Sequence, residues 1–158
     1  MLSGNNSVIC PAFNSMLKKL NIQNYAIIET LELDLEGRLN ILTGETGAGK
    51  SILMGALSLI LGDRADTSVL LNREKKSVVE GTFLLSKNSK TRRILADLDL
   101  DADDELVIRR EMAASGKTRA FVNDTPVNLD QLRQVSHSLV DLHRQFDTLE
   151  LGEEEFQR

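Results

Sequence analysis

The run Gly44-Glu45-Thr46-Gly47-Ala48-Gly49-Lys50-Ser51 constrains this chain more than any other segment. A G-x-x-x-x-G-K-[ST] pattern works when a strand feeds it and a helix leaves it, because only then do successive backbone N–H groups converge on one small anion. Gly44, Gly47 and Gly49 admit the unusual dihedrals that such a turn needs, and the helix that follows adds the positive end of its dipole. Lys50 is placed to reach the β- and γ-phosphates as a point charge. The Ser51 hydroxyl suits Mg²⁺, a hard cation that prefers oxygen ligands and keeps several waters. The motif therefore predicts a cradle for ATP with Mg²⁺, built from residues 44–51.

Its flanks agree. Residues 17–22 read as a strand, residues 31–35 alternate strictly (Leu31-Glu32-Leu33-Asp34-Leu35), and a turn at Glu36-Gly37-Arg38 leads to a further strand over 39–43 that runs into the loop. After it, residues 51–61 carry Ile52, Leu53, Ala56, Leu57, Leu59, Ile60 and Leu61, enough to surround a largely buried helix, with Gly62 as its stop. The expected order is an antiparallel layer, a strand, the glycine-rich loop and a helix.

Downstream the pattern predicts a strand over 78–85 and a short helix over 91–98. A hairpin of 105–111 with 118–122 follows, turning around Ala114-Ser115-Gly116. A helix over 129–135, capped by Asp130 or Asn128, precedes a buried strand over 138–142. The tail, 149–158, opens another helix. Residues 1–15 are rich in Asn and Ser without sustained periodicity, so they are expected to be a disordered extension, with Met16 as an alternative start. They make a poor signal peptide: no basic residue precedes Val8-Ile9-Cys10, and Pro11 interrupts it.

Composition excludes other classes. With 158 residues and 41% hydrophobic content the chain suits one globular domain or part of one, and it holds no apolar run near the ~18 residues of a membrane span. The lone Cys10 allows neither an internal disulfide nor a cysteine-based metal site, which fits a reducing, cytoplasmic setting. A net charge of −5 gives the molecule no overall attraction for nucleic acid. Arg109, Arg110, Lys117 and Arg119, on the predicted hairpin, are candidates for contacting DNA phosphates or a partner, the other reading being a solvated charged face.

Gln145, in Leu142-His143-Arg144-Gln145-Phe146-Asp147, follows the predicted strand 138–142. A neutral amide can accept a hydrogen bond from metal-bound water and donate one without adding charge at the metal, so Gln145 joins Lys50 and Ser51 as a candidate for the nucleotide and Mg²⁺ site. His143 is a second polar group at that strand end, structural or facing the nucleotide.

Three segments carry a resemblance: 20–29 (LNIQNYAIIE), 42–53 around the P-loop, and 61–66 (LGDRAD). The later pieces Ile108-Arg109-Arg110-Glu111, 116–123 (GKTRAFVN) and 141–145 (DLHRQ) extend it. Together they resemble the N-terminal head of the RecN family of bacterial DNA-repair proteins, from Met16 to the C-terminus. Where that family has a His-Gly-Gln-His-like loop, this chain has His143-Arg144-Gln145-Phe146, which keeps the glutamine and puts a bulky charge in place of a small residue.

The resemblance implies an α/β P-loop NTPase fold of the ABC/SMC-type head, its N-terminal lobe fronted by an antiparallel β layer. It implies a homodimer of heads with ATP sandwiched between them, DNA as partner, and a bacterial cytoplasmic, nucleoid-associated setting. The family's signature motif, Walker B aspartate and catalytic glutamate do not occur here, and no heptads are seen. The chain is thus expected to be the N-terminal lobe, 16–158, of a longer ATPase, truncated after the glutamine loop and turning over ATP negligibly by itself. Two alternatives stand beside this: a P-loop kinase of a small substrate, and a nucleotide-gated assembly module without turnover.

Overall fold

The computed structural model describes residues 15–35 and 47–139. The alternating segments assemble into one six-stranded antiparallel sheet in the order β2-β1-β3-β4-β5-β6. Its strands are β1 (Ser15–Tyr25), β2 (Ile28–Asp34), β3 (Ser77–Leu85), β4 (Glu105–Met112), β5 (Thr118–Val122) and β6 (Thr125–Val127). The helices are α1 (Gly47–Ile60), α2 (Lys90–Asp97) and α3 (Leu129–Ser138).

Period-two alternation puts one set of side chains on the core face. Leu20 and Ile22 of β1, Val79 and Phe83 of β3, Leu106, Ile108 and Met112 of β4, and Ala120 and Val122 of β5 are all buried there. Each such large aliphatic contributes roughly 1.5–3 kcal/mol relative to exposure. Ala56, Leu59 and Ile60 of α1, Leu95 of α2, and Leu132 and Val135 of α3 close the same cluster from the helices. Helix α1 approaches the sheet where β3 has Gly81, and a Cβ there would stand 2.7 Å from Ile60 Cδ1.

The opposite face is only half-buried and mostly charged or polar. In cross-strand register it places Asn21 beside Glu80, Glu80 beside Arg109, and Arg109 beside Phe121. Register of this kind is strongly specified, because a one-residue slip would carry the whole apolar set to the charged side.

The tight turns explain several boundaries. Tyr25 pairs with Ile28 across Ala26 and Ile27, and both Asn24 (φ 51°) and Ala26 (φ 52°) sit in the left-handed region. Asn24 compensates through its buried side chain: Nδ2 donates to the carbonyls of Asn72 and Lys75 (both 2.9 Å), and Oδ1 accepts from Asn72 N (2.6 Å). Asn123 and Asp124, both with positive φ, form the two-residue link of the β5–β6 hairpin, the geometry that right-twisted strands favour. At α3, Asn128 and Gln131 exchange backbone and side-chain hydrogen bonds in a capping box.

Several sequence expectations change. The N-terminal boundary moves, since Ser15 already belongs to β1. Strand β6 was not foreseen, although Asn123-Asp124 is a turn signal. The strand expected over 138–142 does not begin where predicted: Ser138 closes α3 and Leu139 is its C-cap in helical conformation. Val135 and Leu139 lie on the helical spacing that Leu132 opens, so the capped helix claims them first. Of the two proposed caps, Asn128 is the one used. The extension 1–14, the turn and strand over 36–43, and everything from 140 onward, the tail helix included, lie outside the described residues.

Candidate phosphate-binding site

Of the eight loop residues, the structure describes the last five, and all of them already belong to α1. Gly44, Glu45 and Thr46 lie outside the described residues, as do Gln145, His143 and Arg144. Gly47, Ala48, Gly49 and Lys50 form the opening turn of α1, and the first four N–H groups of any α-helix lack intrahelical acceptors. That turn contains no acidic side chain that would compete with an anion for those donors. Gly49, Lys50 and Ser51 are exposed, and a Cβ at Gly49 would meet nothing within 4 Å.

These features fit a phosphate ligand: amides without intrahelical acceptors, a dipole of the right sign, an ammonium one position from a hydroxyl, and open space at Gly49. They fit Mg²⁺ in a narrower way. Among the described residues no three His, Cys, Asp or Glu side chains gather to hold a metal ion. A cation here would take the Ser51 hydroxyl together with phosphate oxygens and water, the coordination that a slowly dehydrating, oxygen-seeking ion accepts.

Helix α1 is fixed elsewhere along its length. Near its middle, Gly55 lies over Tyr25 of β1, so close that an added Cβ would stand 2.6 Å from the phenol oxygen. Burial pushes the Tyr25 hydroxyl above its ordinary pKa of 10.0. At the far end the chain reverses at Gly62 (φ 103°), with Gly62 N bonded to Leu59 O (3.2 Å) and Asp63 N to Ser58 O (3.1 Å), which is a Schellman closure. This bears out Gly62 as the helix stop.

Side chains from two other elements then bind the carbonyls at that end. Arg110 of β4 donates through Nη1 to Leu59 O (2.9 Å) and Asp63 O (3.0 Å). Ser136 of α3 donates to Ile60 O (3.1 Å), and Arg133 of α3 donates through Nε to Gly62 O (3.0 Å). Arg110 is 2% exposed, and its Nε and Nη2 find no hydrogen-bond acceptor among the described residues. Burial holds its guanidinium below the usual arginine value; neighbouring Arg133 adds to that, and Asp63 opposes it.

The four basic residues proposed as phosphate or partner contacts therefore separate. Arg110 points to the core and serves α1, so it cannot face DNA. Arg109 points to the other face, where it stacks on Phe121 (4.5 Å from the ring centre) and pairs with Asp124 (3.0 Å), Glu111 (3.4 Å) and Glu80 (3.7 Å). Its charge is spent within the sheet. Lys117 and Arg119 remain exposed on the β4–β5 hairpin. Sequence reading missed the internal role of Arg110, yet parity showed it: Leu106, Ile108, Arg110 and Met112 alternate onto one face, and three of them are apolar.

A family model described as "AAA domain" matches residues 19–158. The chain is 40% identical over 141 residues to the DNA repair protein RecN of Bacillus subtilis, covering 89% of this chain and 24% of that protein. It is 39% identical over 142 residues to RecN of Vibrio cholerae, covering 90% and 26%. The chain thus spans about a quarter of the length of these relatives. Among solved structures, the Smc head domain with coiled coil and joint from Pyrococcus yayanosii superposes with a TM-score of 0.64 at 14% identity, over 80% of this chain and 26% of that one. The recombination mediator protein RecF, in its RecF-ATP form, gives 0.58 at 18% identity over 75% and 30%. At such identities the likeness is one of fold, and the fold is the SMC-type head lobe expected from the sequence, with its antiparallel β layer.

Proposed function

Because the chain belongs to the AAA-domain family, we propose that it is the ATP-binding lobe of a RecN-like, SMC-type ATPase acting in the repair and recombination of broken DNA. The observation that carries this reading is the opening turn of α1: free of acidic side chains and leading into exposed Gly49, Lys50 and Ser51, at the end of a helix whose other end is anchored in the core. The relatives that share its sequence bear the name DNA repair protein, and one neighbour in fold is the RecF-ATP form of a recombination mediator.

In this reading Gly44 to Ser51 wrap the phosphates, Lys50 clamps the β- and γ-phosphates, and Ser51 holds Mg²⁺. Gln145 completes the metal and water contacts. A bound Mg²⁺ supplies charge neutralisation across the phosphate oxygens. The chain's own contribution is positioning, through amides and one ammonium that need no reorganisation when the nucleotide arrives. Hydrolysis requires a water-positioning carboxylate, which the family resemblance assigns to another part of the parent protein. The parent is read as a homodimer of heads closing on ATP and associating with DNA in the bacterial cytoplasm, while this chain alone binds without appreciable turnover.

Isothermal titration of the full chain with Mg-ATP tests the reading. Saturable binding is expected, together with loss of at least an order of magnitude in affinity for Lys50→Ala, the size of effect that one charge-assisted phosphate contact supplies. Absence of saturable binding in folded wild-type protein, or equal binding by Lys50→Ala, would overturn it.

A further inference from the structure

Helix α1 carries the candidate phosphate site at one end, and at the other it meets an unusual amount of positive charge. Two guanidinium groups and a hydroxyl, from β4 and α3, take up the carbonyls of Leu59, Ile60, Gly62 and Asp63. Fourteen residues at about 1.5 Å each separate the two ends by roughly 20 Å. The C-terminal carbonyls of a helix carry its negative partial charge, so cations there are stabilising.

Arg110 is nevertheless a costly way to supply one. It is 2% exposed, lies near the like-charged Arg133, makes no ion pair among the described residues, and leaves Nε and Nη2 unbonded. A charge taken out of water without a counter-ion carries a desolvation cost that no ion-pair attraction repays. A residue kept only for stability would have little reason to be an arginine at an inward position flanked by Ile108 and Met112.

What Arg110 does supply is geometry. Its Nη1 spans Leu59 O in the last turn and Asp63 O beyond the reversal, so it fixes both the axial position of α1 and the path of the chain leaving it. From this geometry we infer that Arg110 is a positioning residue for nucleotide binding: it acts through α1, with Arg133 and Ser136, to hold the amides, Lys50 and Ser51 in register for a triphosphate. The inference rests on the phosphate-site reading above and adds to it the device that sets the site's position. An amide cradle depends on sub-ångström placement, and a rigid helix transmits an axial shift from one end to the other.

The experiment compares full-chain variants by Mg-ATP calorimetry and thermal denaturation. Arg110→Met is expected to lower the thermal midpoint by less than Leu95→Ala does while binding Mg-ATP about tenfold more weakly, within the loss a small misplacement causes. Arg110→Lys, which keeps the cation and one donor, should recover part of that affinity. Leu95→Ala, a fully buried change in α2, serves as the opposite control, with a lowered midpoint and unchanged affinity in the folded protein. Should Arg110→Met fail to fold, the double variant Arg133→Ala/Ser136→Ala removes the two α3 donors and is expected to weaken binding several-fold. Wild-type affinity in Arg110→Met, or in the double variant if that one is used, would overturn the inference and leave the phosphate site standing. Absence of binding in the wild type would take both down.

Discussion

Gly55→Ala offers a close test of how α1 is seated, because two effects of similar size oppose each other there. In an unobstructed helix interior, alanine in place of glycine gains about 0.8–1.0 kcal/mol. At Gly55 the new methyl would stand 2.6 Å from Tyr25 Oη and 3.7 Å from Cζ. Tyr25 is itself buried on β1, so its ring cannot simply swing away. Overpacking of this kind costs about 1–3 kcal/mol. The net expectation is a loss of about 1 kcal/mol, or about 3 °C in the thermal midpoint for a chain of this size.

Removing the phenol oxygen should reverse the sign. In a Tyr25→Phe background the nearest atom becomes Cζ at 3.7 Å, an ordinary contact, and Gly55→Ala should then stabilise by nearly its full helix-propensity gain. A double-mutant cycle by urea denaturation would report a coupling of about 2 kcal/mol between the two positions. If Gly55→Ala stabilises equally in both backgrounds, with no coupling, then α1 does not sit on Tyr25 as described.

Three further predictions follow from local geometry. Ala26→Gly should raise stability by about 1 kcal/mol in chemical denaturation, since glycine adopts the observed φ of 52° without the penalty that alanine bears. Asn128→Ala should lower it by about 1 kcal/mol by opening the capping box of α3, and hydrogen exchange should rise first at the amides of its opening turn. Tyr25 is an acid held neutral by burial, so its folded pKa lies above its unfolded value of 10.0. Its contribution is intact below pH 10.0 and is lost as pH climbs towards the raised folded value, so denaturation midpoints should fall over that alkaline range, and less steeply in Tyr25→Phe.

Local chemistry was legible where one segment decides its own conformation. The strict alternation of 31–35 lies within and just beyond β2, the 105–111 and 118–122 segments became β4 and β5, and Gly62 ends α1 as its position required. The start of α3 near residue 129 was legible too, although Asn128 and Asp130 both offered themselves as its cap and the hydrogen bonds with Gln131 decide for Asn128. The end of α3 was misread because 138–142 is a short apolar run, and periodicity alone cannot divide such a run between a helix and a buried strand.

By itself the amino-acid sequence determined the glycine-lysine-serine chemistry at the head of α1, the glycine stop at its far end, and which residues of each strand share a face. Only the tertiary structure decided that β1 lies between β2 and β3, and which of the two sheet faces the helices would cover. That choice sends Arg110 inward to the far end of α1 and leaves Arg109 among carboxylates on the other side. The physical reason is that alternation fixes relative sidedness within a strand, whereas the identity of the covered face depends on contacts between segments far apart in the chain.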